Sequence, residues 1–173
     1  MTGKIAVIMI LVASLAAAVG VYYTQVYAFY DEIPEAQAEV RLTPFEAEPE
    51  VILAEGIEAI DANSSPIRYR ACFTTPMSLA LLSETYEPYD AAEPLTAPGW
   101  FDCFDAEQIG ADLESGAMLA FLGQRNITYG VDRVVAISQE GRGFVWHQLN
   151  ECGEKQYDGS PADPTCPTPE GQN

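Results

Sequence analysis

Basic side chains and histidine are scarce in this sequence. Eight of the 173 residues are Lys or Arg, 26 are Asp or Glu, and His147 is the only histidine. A protein that binds nucleic acid needs a clustered basic face to replace the counterions of the phosphates. We therefore expect no nucleic-acid partner. A lone histidine is more often a surface or satisfied core residue than a metal ligand or a base, and we expect the same of His147.

The signatures of common enzyme classes are missing as well. The chain has no G-x-S-x-G elbow, no H-E-x-x-H helix, no Walker A loop and no G-x-G-x-x-G loop. None of its cysteine pairs has the C-x-x-C spacing of a redox motif or a zinc knuckle. We expect a non-enzymatic protein with no catalytic residues, no metal site and no other cofactor.

Charge is also absent from a long stretch near the N-terminus. Residues 5–23 are 19 uncharged residues, which as a helix span roughly 28 Å, enough to cross a bilayer core. Lys4 precedes the stretch and acidic residues follow it, so the positive-inside bias places residues 1–4 in the cytoplasm. An aromatic belt follows at Tyr22, Tyr23, Tyr27, Phe29 and Tyr30. Residues 5–30 are thus predicted to be a single transmembrane helix with an outer aromatic belt.

A cleaved signal peptide is the alternative interpretation of this segment, with residues 16–18, all alanine, as the cleavage site. We favour the anchor, because apolar residues continue past these alanines into the aromatic belt. Ala13, Ala17 and Gly20 are spaced so that another helix could approach closely, and we predict them as helix-packing residues. Both interpretations export the remaining chain.

The part beyond residue 30 is strongly acidic. It carries seven positive and 26 negative charges, a net charge of −19. Such a field could attract a basic soluble protein such as an electron carrier, and its plainer role is solubility.

All four cysteines lie in this exported part, where disulfides persist. Three pairings are possible, and spacing alone does not choose among them. We favour Cys72 with Cys103, which sit in segments that look structured, and Cys152 with Cys166, which bracket a polar tail.

The exported part is predicted to have three regions. Residues 31–49 are rich in Glu, Ala and Pro and are expected to form an acidic stalk, residues 50–150 a periplasmic domain, and residues 151–173 a disordered tail. Within the domain, the pattern predicts a strand at 68–75, a helix capped by Thr75, a helix at 105–115 and a hairpin at 131–149. The fold class is α+β, with a mostly antiparallel sheet and two helices beside the transmembrane helix.

Four segments together carry a resemblance to a known family. They are YYTQVYAFY at 22–30, SPIRYRACFTTPMSLALL at 65–82, LTAPGWFDCFD at 95–105 and VDRVVAISQEGRGFVWHQLN at 131–150. Over about residues 1–150 the chain resembles an uncharacterised family of single-span proteins of alphaproteobacteria, a domain of unknown function. The resemblance implies anchoring and export and names no reaction.

These observations favour a membrane-anchored accessory or assembly subunit of a larger bacterial inner-membrane complex, respiratory or photosynthetic, with its C-terminal domain in the periplasm. Its partner would be an integral membrane protein complex. The alternative is a periplasmic ligand-binding or sensory module. Its pocket would be lined by Trp100, Phe101, Phe104 and Trp146, whose plainer role is to form the hydrophobic core.

Overall fold

The protein consists of an N-terminal helix followed by one α+β domain. A computed structural model describes residues 2–28, 30–157, 159, 160 and 166. The N-terminal helix, α1 (Thr2–Tyr23), continues into a π-helical turn (Thr24–Ala28). The other described elements are β1 (Asp31–Ile33), a 3-10 helical turn (Glu35–Gln37), β2 (Arg41–Leu42), β3 (Glu50–Val51), β4 (Glu55–Asp61), β5 (Arg70–Thr74), α2 (Leu79–Thr85), α3 (Ala106–Ser115), β6 (Met118–Thr128), β7 (Val131–Ser138) and β8 (Arg142–Leu149). The predicted fold class is confirmed.

The centre of the domain is a six-stranded antiparallel sheet with the strand order β1-β4-β5-β8-β7-β6. The β2–β3 hairpin and α2 cover one face, where Leu42 and Leu82 are fully buried. The other face packs against α3 and the 87–105 loop, with Trp146 and Ile109 in its core. Because both faces are covered, β7 and β8 are nearly continuous runs of buried residues instead of alternating ones.

The two edges of this sheet differ in length and in cover. β1 is a three-residue edge strand that carries Asp31 and Glu32. The opposite edge strand, β6, is 11 residues long, and a neighbouring loop bonds to its outer side. The carbonyls of Leu122 and Ala120 accept hydrogen bonds from Thr43 N (2.9 Å) and Tyr89 N (2.9 Å). These bonds satisfy backbone groups that an open edge would leave unpaired.

The ends of α3 are as predicted, whereas α2 begins later than predicted. The Asp105 side chain accepts from the backbone N–H groups of Glu107 and Gln108, and Gly116 ends α3 in the left-handed conformation (φ 76°). The predicted cap of α2, Thr75, is buried and donates its hydroxyl to the Leu53 carbonyl at 2.7 Å. Ser78 caps the helix instead, by accepting from Leu81 N.

Residues 31–49 are part of the domain and do not form the expected stalk. β1 pairs with β4, and Val40 and Leu42 are buried in the core under the sheet. β4 is not among the strands predicted from the sequence. Its Glu55 and Glu58 are exposed while Ala59 and Ile60 are buried. Because the acidic side chains interrupt its apolar pattern, the sequence does not indicate a strand here.

The predicted disordered tail is described only in part. Residues 151–157 include turns, and the backbone N–H groups of Gly153 and Glu154 bond to the Asn150 carbonyl. Residues 158, 161–165 and 167–173 lie outside the described residues, so the prediction for them is not addressed. Both favoured disulfides are present, between Cys72 and Cys103 and between Cys152 and Cys166.

Candidate functional site

Of the four aromatic residues predicted to line a pocket, Trp100 and Phe101 border one cleft of the described structure, and Phe104 and Trp146 are not among its lining residues. Trp146, Phe104 and Phe101 are buried in the core, with exposed fractions of 0%, 5% and 8%. The ring of Phe104 contacts that of Trp146 edge to face, with centroids 6.3 Å apart. These three side chains stabilise the packing of the 87–105 loop on the sheet. The half-buried Trp100 has a different environment.

Trp100 joins the domain to the end of the N-terminal helix. Its indole N–H donates to the carbonyl of Val26 in the π-helical turn at 2.7 Å. Its ring stacks on Tyr27, with centroids 6.2 Å apart, and meets Tyr30 edge to face at 6.1 Å. The bond occupies a carbonyl at a helix end, where carbonyls lack intrahelical partners.

Local structure fixes the position of Trp100. The N–H of Phe101 bonds to the carbonyl of Pro98 at 2.9 Å, which forms a turn around Trp100. Three residues further on, Cys103 is bonded to Cys72 in β5. The disulfide therefore attaches the loop that presents Trp100 directly to the central sheet.

Arg68 holds the other side of this contact. Its guanidinium carbon lies 5.5 Å from the centre of the Tyr30 ring, and its Nη1 is 3.4 Å from the Tyr30 hydroxyl. Tyr30 directly precedes β1, so the helix and the sheet meet without a spacer. We call Val26, Tyr27, Tyr30, Arg68 and Trp100 the junction.

The junction includes part of the predicted aromatic belt. Tyr22 and Tyr23 also contact Tyr27, with ring centroids 6.4 and 5.9 Å away. Phe29, the fifth predicted member, lies outside the described residues. Sequence reasoning missed the contribution of Trp100 and Arg68, because they are distant from this segment along the chain.

Residues 3–23 of α1 are exposed. Residues Gly3–Ala28 are long and apolar enough to cross a membrane or to act as a signal sequence, and they are unburied. Ala13, Ala17 and Gly20 are exposed with the rest of the helix. No atom lies within 4 Å of the position that a Cβ on Gly20 would occupy, so the predicted helix-packing face is open.

His147 is a buried core residue whose ring nitrogens are both engaged. Its Nε2 accepts from Nε of Arg133 at 3.0 Å, so the proton lies on Nδ1, which donates to the Pro66 carbonyl at 2.8 Å. Burial, together with the nearby charge of Arg133, lowers the pKa of His147 to about 3. The ring also stacks on Tyr69 at 4.8 Å. His147 is therefore a neutral structural group, as its isolation in the sequence predicts.

Two buried charged residues, which the sequence reasoning did not single out, organise the loops at one end of the sheet. The Arg70 guanidinium donates to the carbonyls of Ile67, Tyr69, Leu95 and Thr96. The fully buried Asp132 accepts from Asn126 N at 2.8 Å, Asn150 Nδ2 at 2.7 Å and the Tyr89 hydroxyl at 3.2 Å. Arg70 and Asp132 thus have hydrogen-bond partners for their buried charges, and they in turn satisfy polar groups of the loops that would be costly to bury unpaired. We therefore assign both residues structural roles.

In the described part of the chain, His, Cys, Asp and Glu side chains form no group of three or more that could hold a metal ion. We take the junction and the exposed face of α1 as the candidate functional surfaces of this molecule.

Comparisons with known proteins give a family and no activity. No curated protein and no solved structure matches the chain. A family model described as a family of unknown function matches residues 40–167. The matched region includes all four cysteines and extends beyond residue 150, where the resemblance seen in the sequence ended. Because the match covers most of its length, the chain belongs to the family of unknown function DUF6446.

Proposed function

We propose that the protein is a non-enzymatic accessory or assembly subunit of a larger bacterial inner-membrane complex, respiratory or photosynthetic. In this proposal α1 spans the membrane once, residues 1–4 are cytoplasmic and the domain lies in the periplasm. The open face of α1 binds a transmembrane helix of the complex. The acidic domain then stands at the outer surface, where it meets basic soluble proteins such as an electron carrier.

The junction is the observation that carries this proposal. Trp100 binds the Val26 carbonyl, and Arg68 binds Tyr30, so the domain is oriented by the helix. A domain that only needed tethering would be served by a flexible linker. A fixed orientation is useful when the helix is bound to a partner, because the partner then determines which surface the domain presents.

The charge and the cysteines support the orientation across the membrane. The single basic residue before the apolar stretch is Lys4, and acidic residues follow from Asp31 onwards. The two disulfides favour an oxidising compartment such as the periplasm. The alternative of a ligand-binding module has less support, because three of its four predicted pocket residues are in the core.

Co-purification from native membranes in mild detergent tests the helix contact. We expect a stoichiometric integral membrane partner with the wild-type chain and its loss from the triple variant Ala13→Leu, Ala17→Leu, Gly20→Leu, since the larger side chains prevent close helix approach. The control is Ser14→Leu with Ala18→Leu, which lies roughly 100–140° around the helix. Retention of the partner by the triple variant, or elution of the wild type alone, would contradict the proposal.

The state of the N-terminus is tested separately. We expect intact-mass measurement of the membrane-extracted protein to include residues 1–18. A soluble mature chain that begins after Ala18 would show that the segment is a cleaved signal peptide, and the proposal would fail.

A further inference from the structure

A cleft of the described domain lies on the face that carries α3. Its volume is about 760 Å³, and its walls are the loop after α2, the helix α3 and the start of β6. Ligand-binding cavities commonly have volumes of about 300–1,000 Å³. The cleft is separate from the junction, because it contains none of the five junction residues.

The floor of the cleft is apolar. Leu119 of β6 is 39% exposed there, Pro88 is exposed and Pro94 is half-buried, whereas Met118 and Phe121, which also border the cleft, are buried. On the opposite wall α3 presents Ala106 and Gly110, which are one helical turn apart. Their small size keeps the cleft open between the helix and the strand.

Gly110 is not explained by the fold. It lies in the middle of a ten-residue helix, where glycine is less favourable than alanine. No heavy atom lies within 4 Å of the position that its Cβ would occupy, and its backbone is not in the left-handed region. The domain therefore gains nothing from a glycine here, whereas a molecule that enters the cleft gains room.

The rim of the cleft is acidic and unpaired. It is formed by Asp90, Glu93, Glu107 and Glu114, all exposed. The ion pairs within the described residues involve Glu39, Glu87 and Asp132, and none involves these four carboxylates. They are not arranged to hold a metal ion. Separated carboxylates around an apolar floor complement an extended ligand with several positive charges.

We propose that this cleft binds a basic amphipathic segment of a partner protein. Apolar side chains of the segment contact Pro88, Pro94 and Leu119, and its Lys or Arg side chains face the four carboxylates. Gly110 allows the backbone of the segment to approach α3 closely. The proposal deepens the proposed function and rests on it, because it assigns the second contact of the accessory subunit to one surface of the domain.

The test uses the full chain in an uncharged detergent with synthetic peptides as probes. The first peptide places Leu on one helical face and Lys on the other. In the second peptide Ser replaces Leu, and in the third Glu replaces Lys. Binding is followed by fluorescence anisotropy of the labelled peptide. We expect saturable binding of the Leu/Lys peptide, with at least about tenfold weaker binding of the other two, a difference of roughly 1.4 kcal/mol.

Variants of the chain locate the binding site. Gly110→Leu fills the cleft, and a variant with Gln at the four rim positions removes their charge. We expect each to weaken binding of the Leu/Lys peptide about tenfold or more. Glu46→Gln with Glu48→Gln removes charge elsewhere and should leave binding unchanged. Circular dichroism verifies that each variant is folded. If Gly110→Leu fails to fold, Gly110→Met with Ala106→Ser provides a milder test of the same wall.

Equal binding of the Leu/Lys peptide by the wild type and the folded cleft variants would overturn the inference. So would equal binding of the Glu-containing peptide. The triple helix variant at Ala13, Ala17 and Gly20 should bind the peptide normally. Loss of the membrane partner with intact peptide binding therefore separates failure of the helix contact from failure of the cleft.

Discussion

At the scale of single residues, the charged and polar groups inside this domain maintain its structure. His147, Arg70 and Asp132 are buried, and each is surrounded by specific hydrogen-bond partners. An isolated histidine is more often a surface or satisfied core residue than a ligand or a base, and His147 is buried with both ring nitrogens hydrogen-bonded. Composition could not identify the carbonyls that surround Arg70, since Leu95 and Thr96 are about 25 residues away along the chain.

Protonation of His147 should reduce stability in mild acid. Its folded-state pKa is about 3, below the value of about 6.5 expected in the unfolded chain. The unfolded state therefore binds a proton that the folded state rejects, and stability falls as the pH drops from about 6.5 towards 3. Above about pH 6.5 the contribution of His147 to the free energy of unfolding no longer changes with pH.

Chemical unfolding of the wild type and His147→Gln between pH 7.5 and 5 measures this effect. We expect the free energy of unfolding of the wild type to decrease across this interval by more than that of the variant, whatever their absolute stabilities. Parallel pH profiles would show that His147 does not titrate as its environment requires.

Replacing Gly110 by alanine should stabilise the domain. A glycine in the interior of a helix costs roughly 0.5–1 kcal/mol relative to alanine, and a Cβ at this position meets no other atom within 4 Å. The free energy of unfolding should rise by about this amount in urea titrations. Gly123→Ala is the contrasting control, because its Cβ would lie 2.9 Å from the Arg133 carbonyl oxygen. A destabilised Gly110→Ala would mean that the helix needs this glycine after all.

At the scale of elements, locally encoded structure was predictable and long-range pairing was not. Asp105 and Gly116 delimit α3 from within the helix sequence itself, and the β7–β8 hairpin needs only its short turn. The apolar segment at 117–122 is too short for its period to distinguish strand from helix, and residues 118–122 form a strand by pairing with β7. β1 and β4 were missed because their pairing joins Asp31 to Asp61 and because their outward side chains are acidic.

Among the contacts between elements, the junction is the hardest to predict from the sequence. Trp100 and Val26 are 74 residues apart, and an exposed aromatic belt gives no sign of a partner on the domain. The amide exchange of the π-helical turn reports this contact directly.

Trp100→Phe should loosen the junction without unfolding the domain. The phenyl ring preserves stacking on Tyr27 but cannot donate to the Val26 carbonyl, a net loss of about 1 kcal/mol. Hydrogen exchange of residues 24–28 should become faster, while exchange in β7 stays as in the wild type. Tyr157→Phe, at a fully exposed position, is the control. Unchanged exchange at residues 24–28 would show that Trp100 does not hold the turn.

At the scale of the whole molecule, charge and apolarity are segregated. The N-terminal helix is apolar, and the domain bears nearly all of the charge. The sequence predicted this division in full, because it depends on composition alone.

Salt should distinguish the two contacts that we propose. Raising the salt from about 0.01 M to about 1 M shortens the Debye length from roughly 30 Å to 3 Å. A basic partner held by the acidic domain should therefore dissociate, whereas helix packing inside the bilayer should not respond. Quantitative mass spectrometry of the co-purified proteins at both salt concentrations measures the difference. Salt-resistant binding of every partner would show that charge on the domain attracts none of them.

The bonds made along the outer side of β6 have a consequence for association. In many proteins an exposed edge strand of a sheet pairs with an extended peptide or with another copy of the protein, which leads to recruitment or to aggregation. Here the backbone N–H groups of Thr43 and Tyr89 already bond to carbonyls of the edge strand β6. The opposite edge strand, β1, is three residues long and bears two carboxylates. Backbone pairing with a second chain is thereby blocked at these positions of β6, so association there would depend on side-chain contacts.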